Sequence, residues 1–216
     1  VVAEINGDEF PSKMNFKGTG ENALRKTLNP QKMIAYCNST ITNLLKSIYI
    51  FQGQKALPYQ YENIAVEEGF VGYDYEFLHK VIENNKLNIN KWLKHFGYDF
   101  KIETETGGPT NVTLIQHKKE KFKINYKYGG LGAENVLPVI AQSVAAKNKV
   151  IIFEEPERRA HPGLQVKLAD LFVETSKNNQ FIIETHSENL LLGILKNIRD
   201  GKISHRDVQV SYTYID

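Results

Sequence analysis

Lys149–Glu155 reads KVIIFEE, and this stretch decides the fold class of the chain. The apolar run Val150–Phe153 predicts a strand that is buried on both faces, as strands of parallel sheets are. Two carboxylates follow at the carboxyl end of this strand, which is the edge where open parallel sheets bind their ligands. The stretch therefore predicts an α/β fold with a parallel sheet and a candidate site at Glu154 and Glu155.

The paired carboxylates suit phosphoryl transfer. In that chemistry one acid holds Mg²⁺, usually through water, and a second acid orients or deprotonates the attacking water. Glu154 is the candidate for the first role and Glu155 for the second. The alternative is that both residues are solvated charges at the end of a strand.

A second buried-type strand ends close to a histidine. Phe181–Ser187 reads FIIETHS, and neighbouring parallel strands end at the same edge of a sheet. An imidazole at that edge can reach a γ-phosphate and respond to its presence. Because a lone histidine is often structural, the interpretation of His186 depends on its pairing with the two glutamates.

A glycine-rich segment precedes both strands. Tyr128–Ala146 reads YGGLGAENVLPVIAQSVAA and predicts a turn that leads into a helix. Free N–H groups at such a helix start form an anion site, with Gly130 and Gly132 as the candidate residues. The alternative is that the glycines only form the turn out of the preceding hairpin.

The rest of the pattern divides the chain into three regions. Residues 1–98 form a mainly helical region, and residues 99–128 alternate between apolar and polar as an antiparallel β meander does. Residues 129–216 alternate between helix and strand, which is typical of a parallel α/β sheet. Val208–Ile215 resembles a final strand.

Within the first region, the pattern predicts several separate elements. Met33–Ser47 is a predicted helix, Ile48–Phe51 a short strand and Gln52–Gly72 a loop. Tyr75–Asn84 and Ile89–Phe96 are predicted as two helices, the second with Asn88 before it and Gly97 after it as caps.

Composition narrows the setting of the protein. With 216 residues and 41% apolar composition, the chain is long enough for a substantial core. The single cysteine, Cys37, excludes an internal disulfide and favours a cytoplasmic location. No apolar run is long enough to span a bilayer, so no membrane partner is expected.

Charge leaves the question of nucleic acid open. The net charge of +2 is not a polyanion-binding signal for the whole chain. Basic residues do concentrate between His117 and Lys127, interleaved with aromatic residues that suit contact with a phosphate backbone. The alternative is a solvated hairpin face with its apolar residues packed inward.

Three of these segments together resemble a known family of ATPases. They read, in chain order, GGLGAENVLPVIAQ (129–142), VIIFEEPERRAHPGLQVKLADLF (150–172) and FIIETHSENLLLGIL (181–195). This order is similar to the C-terminal half of bacterial ABC-type ATPases of the SMC-like and OLD-like kind, which are predicted AAA-family ATPases. The resemblance implies the ABC form of the P-loop NTPase fold, with a mostly parallel sheet and helices plus a helical and antiparallel β subregion.

The resemblance also implies roles for particular residues. They are Glu154 as the Mg²⁺-organising acid, Glu155 as the catalytic acid, His186 as the switch histidine, Gly130 and Gly132 as signature glycines, and Glu134 and Asn135 as neighbouring nucleotide-binding positions. In such ATPases two units enclose ATP, and the signature helix of one unit faces the γ-phosphate held by the other. ATP and Mg²⁺ are therefore the expected cofactors, and a homodimer that acts on an effector protein is the expected assembly.

The chain departs from the family in its phosphate-binding elements. It contains no G-x-x-x-x-G-K-[ST] segment, so this loop either precedes Val1 in a longer protein or is missing from a nucleotide-free relative. Glu134 and Asn135 stand where the closest subfamily has Ser and Gln. A carboxylate at Glu134 repels an incoming phosphate, so slow or lost hydrolysis is a hypothesis.

Three functions follow from these observations. The first is part of an ABC-type ATPase that hydrolyses ATP with Mg²⁺ at a dimer interface to drive or regulate an effector, with DNA maintenance and phage defence as candidate settings. The second is a non-hydrolysing relative that acts as a scaffold or nucleotide sensor. The third is a metal-dependent nuclease that uses Glu154, Glu155, His161 and Glu184.

Overall fold

A computed structural model of the chain describes residues 30–51, 69–72, 75–105, 112–117, 119 and 122–212. The chain forms two compact units, Val1–Leu45 and Lys46–Asp216. In the first unit, the described residues belong to helix α1, Pro30–Lys46. Proline suits the first turn of a helix, because its missing N–H has no partner there in any case.

The second unit contains the remaining helices and strands. They are β1 (Ile48–Phe51), α2 (Leu78–Phe96), β2 (Phe100–Glu105), β3 (Val112–His117), β4 (Lys123–Asn125), α3 (Leu131–Ala145), β5 (Lys149–Glu154), α4 (Pro162–Thr175), β6 (Asn179–Glu184) and α5 (Glu188–Arg199). Single 3₁₀ turns follow β4 at Tyr126–Tyr128 and α5 at His205–Asp207.

A parallel sheet lies at the centre of this unit. Its strand order is β1-β5-β6, and both pairs of neighbours are parallel. Ile152 of β5 is in register with Ile50 on one side and Ile182 on the other. The α/β fold class with a parallel sheet is therefore confirmed.

The two faces of this sheet differ in burial. Phe153 of β5 is buried, and its ring centroid lies 5.2 Å from that of Phe51 and 5.7 Å from that of Phe172 on α4. On the opposite face, Ile50 of β1 is 46% exposed. The aromatic face carries the core, while the face that holds the isoleucine row is partly open.

A second, antiparallel sheet has the strand order β2-β3-β4. Ile115 of β3 is in register with Ile102 of β2 and with Ile124 of β4, and both Ile102 and Ile115 are buried. The predicted meander is thus present within 99–128. Much of the predicted loop at Gln52–Gly72 lies outside the described residues.

The predicted pair of helices between Tyr75 and Phe96 is instead one helix, α2. Its only non-helical residue is Asn85, with φ −120° and ψ 15°. The side-chain amide of Asn85 donates to the carbonyl of Val81 at 2.9 Å, which satisfies a backbone acceptor at the kink. The predicted break is therefore a kink, and Asn88 lies inside the helix rather than at its start.

The apolar side of α2 explains why the helix continues. Leu78, Ile82, Ile89 and Leu93 are almost completely buried, and they fall on both sides of the kink. Burial of these side chains outweighs the low helix propensity of the asparagines between them. Gly97 ends the helix as predicted, in the left-handed conformation with φ 90°.

The predicted strand at Val208–Ile215 is wrong for the residues that the structure describes. Residues 208–212 have no regular secondary structure, and Val210 and Tyr212 are exposed. Alternating apolar residues form a strand only beside a partner strand, and none pairs with this segment in the described part of the chain. Among the described residues, no helix is long and apolar enough to cross a membrane.

Candidate functional site

The carboxyl ends of β5 and β6 form the edge at which the candidate residues meet. Glu154 ends β5 and is in register with Glu184, which ends β6. Both side chains are exposed at this edge. Glu154 is therefore available to a ligand or a solvated cation.

Glu155 begins the turn after β5 in an unusual backbone conformation. Its φ is +45°, although it is not a glycine, and its N–H donates to the carbonyl of Glu184 at 2.9 Å. A left-handed residue of this kind costs about 1 to 3 kcal/mol and is found most often at functional sites. Arg159, later in the same turn, also has a positive φ, of 60°.

This turn directs the carboxylate of Glu155 towards the imidazole of His186 and the guanidinium of Arg158. Glu155 Oε1 lies 3.6 Å from His186 Nε2, and Glu155 Oε2 lies 3.3 Å from a guanidinium nitrogen of Arg158. The His186 side chain is 78% exposed. The structure thus brings together the two residues that the sequence marks as catalytic candidates.

Glu157, two residues further along, is buried beneath this pair. Its residue is only 5% exposed, and Oε1 accepts a hydrogen bond from Thr185 Oγ1 at 2.5 Å and one from the His186 N–H at 3.2 Å. The Thr185 hydroxyl also accepts from the Ser187 N–H at 3.0 Å. The carboxylate therefore holds the backbone turn that carries His186.

Gln165 of α4 provides a second link between the two strand ends. Its Oε1 accepts from Ser187 Oγ at 2.7 Å and from Asn189 Nδ2 at 3.2 Å. Its Nε2 donates to the carbonyl of Ala160 at 2.9 Å. The turn after β5 and the turn after β6 are consequently fixed to each other by side chains from two elements.

A cavity of about 500 Å³ opens at this edge. Its lining includes Glu155, Glu157, Arg158, Arg159 and His186. Acidic and basic groups thus face the same space, which suits a ligand that carries both an anionic group and a cation.

The glycine-rich helix start lies against the turn after β5. Gly130, with φ 95°, precedes the first residue of α3. The amide of Asn135 donates to the carbonyl of Arg158 at 3.2 Å, and a Cβ on Gly132 would lie 3.7 Å from the carbonyl oxygen of Arg159. Glu134 is half-buried in the first turn of α3.

The candidate residues therefore form two neighbouring groups. Glu154, Glu155 and His186 share the strand edge, with the last two lining the cavity. At the α3 start, the Asn135 amide contacts the turn through the Arg158 carbonyl. None of the four candidate residues there is part of the cavity lining: Gly130, Gly132, Glu134 and Asn135.

The described residues contain no group of three or more acidic, histidine or cysteine side chains that could hold a metal ion. All four residues of the nuclease hypothesis are described, so the structure does not assemble the site which that hypothesis requires. His161 has a different role: its Nδ1 accepts from the Gly163 N–H at 3.1 Å and caps the start of α4. An exposed carboxylate such as Glu154 does fit Mg²⁺ in nucleotide sites, where phosphates and water supply most ligands.

Sequence reasoning missed Glu157, Gln165 and Thr185. The signal for Glu157 is its position directly after Glu155 and Pro156. At that point the strand has already ended, so a third acid is not explained as a solvated charge at the strand end. Nothing in the sequence shows that its side chain is buried or that Thr185 meets it. Gln165 falls within an apolar helical pattern and has no sequence signal of its own.

The sheet is parallel, an acidic turn follows one strand and a histidine follows the next. This arrangement is typical of nucleotide-binding α/β domains. Comparison with protein families is more specific: the AAA ATPase domain matches residues 75–191. The match covers more than half of the 216 residues, so the chain belongs to the AAA ATPase domain family.

Several solved structures of SMC heads are similar at a low level. An Smc head bound to the C-terminal winged-helix domain of ScpA has 14% identity and a TM-score of 0.43, and the match covers 54% of this chain and 43% of that one. An Smc head with an extended coiled coil, bound to the C-terminal domain of ScpA and derived from Pyrococcus furiosus, has 17% identity and a TM-score of 0.41, with 52% and 30% covered.

A third structure comes from work on ATP-driven dimerisation and DNA-stimulated activation of SMC ATPases. It has 16% identity and a TM-score of 0.42, and the match covers 53% of this chain and 74% of that one. The chain thus spans less than half the length of the first of these proteins. No curated protein matches the chain.

Proposed function

We propose that the chain supplies the water-activating half of an ATPase that works as a dimer and acts on an effector. The observation that carries this proposal is the backbone of Glu155, whose strained turn at the sheet edge holds its carboxylate beside His186. An acid beside a histidine in an open cavity can orient the water molecule that attacks the terminal phosphoanhydride of ATP.

The proposed division of labour follows from the positions of the side chains. Glu155 accepts a hydrogen bond from the attacking water and orients it, since its carboxylate faces the cavity. His186 is exposed and donates to a γ-phosphate oxygen, which links its position to the presence of ATP. Glu154 is an exposed acid at the end of β5, and it would hold Mg²⁺, which neutralises phosphate charge when bound.

The phosphate-binding loop is proposed to come from outside the printed sequence. No such loop occurs in the 216 residues. In proteins that have the loop, its backbone N–H groups make most of the contacts to the β- and γ-phosphates. The exposed side of Ile50 supports this proposal, because a central parallel sheet normally has helices on both faces.

A dimer is proposed because the α3 start lies beside the catalytic turn without lining its cavity. The contact between Asn135 and the Arg158 carbonyl puts the glycine-rich start next to an exposed, charged edge. From that position the N–H groups of α3 can reach a phosphate held by a second copy. In this arrangement the homodimer encloses ATP and Mg²⁺ between the copies.

A scaffold or nucleotide sensor that does not hydrolyse ATP is the second candidate. The observation that favours it is the ion pair at 3.3 Å between Glu155 and Arg158, which competes with a water molecule for the carboxylate. Glu134 in the first turn of α3 adds a negative charge where a phosphate would approach. Both features predict slow turnover even if ATP binds.

The test is ATP binding and hydrolysis with Mg²⁺, measured for this chain and for the longest natural form of the protein. Glu155→Gln removes the proposed base but keeps the shape of the side chain, while Glu174→Gln on the exposed end of α4 removes a charge far from the cavity. The proposal predicts that the longest form hydrolyses ATP, that Glu155→Gln lowers kcat about 100-fold or more, and that Glu174→Gln changes kcat less than about twofold. ATP binding without turnover in the unchanged protein would favour the sensor, and no binding would reject both functions.

A further inference from the structure

The side chain of Glu157 is buried, and burial of an acid costs free energy that an acid on the surface does not lose. A carboxylate removed from water loses favourable hydration that is recovered only if its oxygens find hydrogen-bond donors. Oε1 has two donors, but Oε2 is buried and has no hydrogen-bond partner in the described part of the chain. A glutamine or an apolar residue would avoid this cost, so stability alone does not explain the side chain.

The contacts of Glu157 converge on one short turn. The carboxylate binds the Thr185 hydroxyl and the His186 N–H, and the same hydroxyl binds the Ser187 N–H. Three consecutive residues after β6 are therefore held by one buried group.

The imidazole of His186, by contrast, has little packing of its own. Its side chain is 78% exposed, and its contact with Glu155 is 3.6 Å long. Rotation of the turn would therefore move the ring relative to Glu155, because a largely exposed ring has little packing to resist the movement. The backbone of the turn, rather than side-chain packing, sets where the ring lies.

Glu157 also lies on the same turn as Glu155. The turn is fixed by two internal hydrogen bonds, from the Arg158 N–H to the Glu155 carbonyl at 3.0 Å and from the Ala160 N–H to the Glu157 carbonyl at 2.9 Å. One rigid loop thus presents the proposed water-activating acid and, two residues later, the group that holds the histidine turn.

We propose that Glu157 is a positioning residue: its buried carboxylate fixes the Thr185–Ser187 turn and so sets the position of the His186 imidazole against Glu155. The effect on catalysis rests on the proposed function. The positioning of His186 by Glu157 is a property of this chain and does not depend on ATP hydrolysis. A loss of the carboxylate frees the turn, so the histidine meets the γ-phosphate less often while ATP still binds.

Amide hydrogen exchange measured by NMR on this chain tests the structural content without nucleotide. Glu157→Ala removes both hydrogen bonds and is expected to raise exchange at the His186 amide by about tenfold or more, whereas Glu157→Gln keeps an acceptor at Oε1 and stays within about threefold. Thr185→Val, which removes only the hydroxyl, provides a milder variant if Glu157→Ala does not fold. Its expected effect is faster exchange at the Ser187 amide.

Glu188→Gln is the matched control, because Glu188 lines the same cavity at the start of α5. It removes a carboxylate without touching the hydrogen bonds of the turn and is expected to leave exchange at His186 unchanged. The inference is overturned if exchange and the His186 ring resonances stay unchanged in Glu157→Ala and Thr185→Val. It is also overturned if Glu188→Gln changes them as much as Glu157→Ala does.

Kinetics on the longest natural form separate this inference from the proposed function. Positioning predicts that Glu157→Ala lowers kcat about tenfold or more with less than about a threefold change in KM for ATP, and that Glu157→Gln recovers most of the loss. Equal losses in Glu157→Ala and Glu157→Gln would overturn the positioning role. If the unchanged protein hydrolyses no ATP, the proposed function fails, and the exchange experiment still decides whether Glu157 holds His186.

Discussion

Gly193 lies in the middle of α5, where this helix packs against α4, and its substitution by alanine gives a quantitative test of that packing. A Cβ at position 193 would lie 2.6 Å from the Cβ of Ala169 and 2.7 Å from the carbonyl oxygen of Val166. The second atom belongs to the backbone of α4, so relief requires the helices to move apart. Both helices carry residues of the candidate site, and the effect is therefore relevant to the turn at His186.

The size of the effect follows from opposing contributions. Replacing a helical glycine by alanine stabilises a helix by about 1 kcal/mol through propensity alone. Overpacking at a buried contact costs about 1 to 3 kcal/mol, and overlap with the α4 backbone favours the upper end of this range. We therefore expect Gly193→Ala to lower the free energy of unfolding by about 1 to 2 kcal/mol.

Urea unfolding followed by circular dichroism measures this free energy directly, and a thermal scan should show a Tm lower by about 2 to 8 °C. Gly132→Ala is the matched control, because a Cβ there would lie 3.7 Å from the Arg159 carbonyl oxygen and 3.9 Å from the Tyr98 hydroxyl, both ordinary van der Waals distances. The control should be neutral or stabilising. If Gly193→Ala were as stable as the control or more so, the close packing of α5 on α4 would be refuted.

Three further predictions concern the cap, the pH dependence and the glycine-rich helix start. Ser187→Ala should lower the free energy of unfolding by about 1 to 2 kcal/mol in urea titrations, because Ser187 Oγ accepts from the Leu190 N–H and caps α5, whereas Ser187→Thr should retain most of it. Burial raises the pKa of Asp170, but a hydrogen bond from Asn197 and contacts with cationic neighbours outweigh it, so the net shift is downward. The stability that this shift contributes is complete above the pKa of an unfolded aspartate, about 3.9, and is lost as pH falls through the lower folded pKa, so Asp170→Asn should flatten the acid side of a stability–pH curve. Gly132→Ala should leave stability intact but weaken ATP-dependent turnover of the longest natural form, and unchanged kinetics would remove Gly132 from the site.

The sequence predicted the parallel sheet because its strands have the strongest local signal. Four-residue apolar runs at Ile48–Phe51 and Val150–Phe153 have no helical periodicity, and both are strands in the structure. Because neighbouring strands of a parallel sheet run in the same direction, their carboxyl ends lie at the same edge of the sheet. Glu155 and His186 could therefore be placed together before any coordinates were known.

Elements that depend on distant packing were predicted less well. The ENNK segment of α2 has a weak local helix preference, yet the apolar side chains on both sides of it are buried together and keep the helix continuous. Val208–Ile215 shows the reverse: its local pattern suits a strand, but no partner strand is present among the described residues. In both cases tertiary context decided between local alternatives.

The least predictable features are those of the turn after β5. No glycine marks the positive φ of Glu155, and the hydrogen bond that its N–H donates to the Glu184 carbonyl joins two segments that are distant in the sequence. The buried carboxylate of Glu157 is bound by Thr185, which lies in the turn after β6, 28 residues further along the chain. A sequence pattern identifies acids at a strand end, but it does not show which of them is buried and bound to a neighbouring turn.

The most direct test of the account is the molar mass of the Glu155→Gln variant of the longest natural form, measured by light scattering with and without ATP and Mg²⁺. We expect a monomer mass without nucleotide and a stable dimer mass with ATP and Mg²⁺, because the variant would close around ATP without hydrolysing it. A mass that stays the same with ATP, together with no nucleotide retained by the protein, would contradict the proposal that this edge completes an ATP site between two copies.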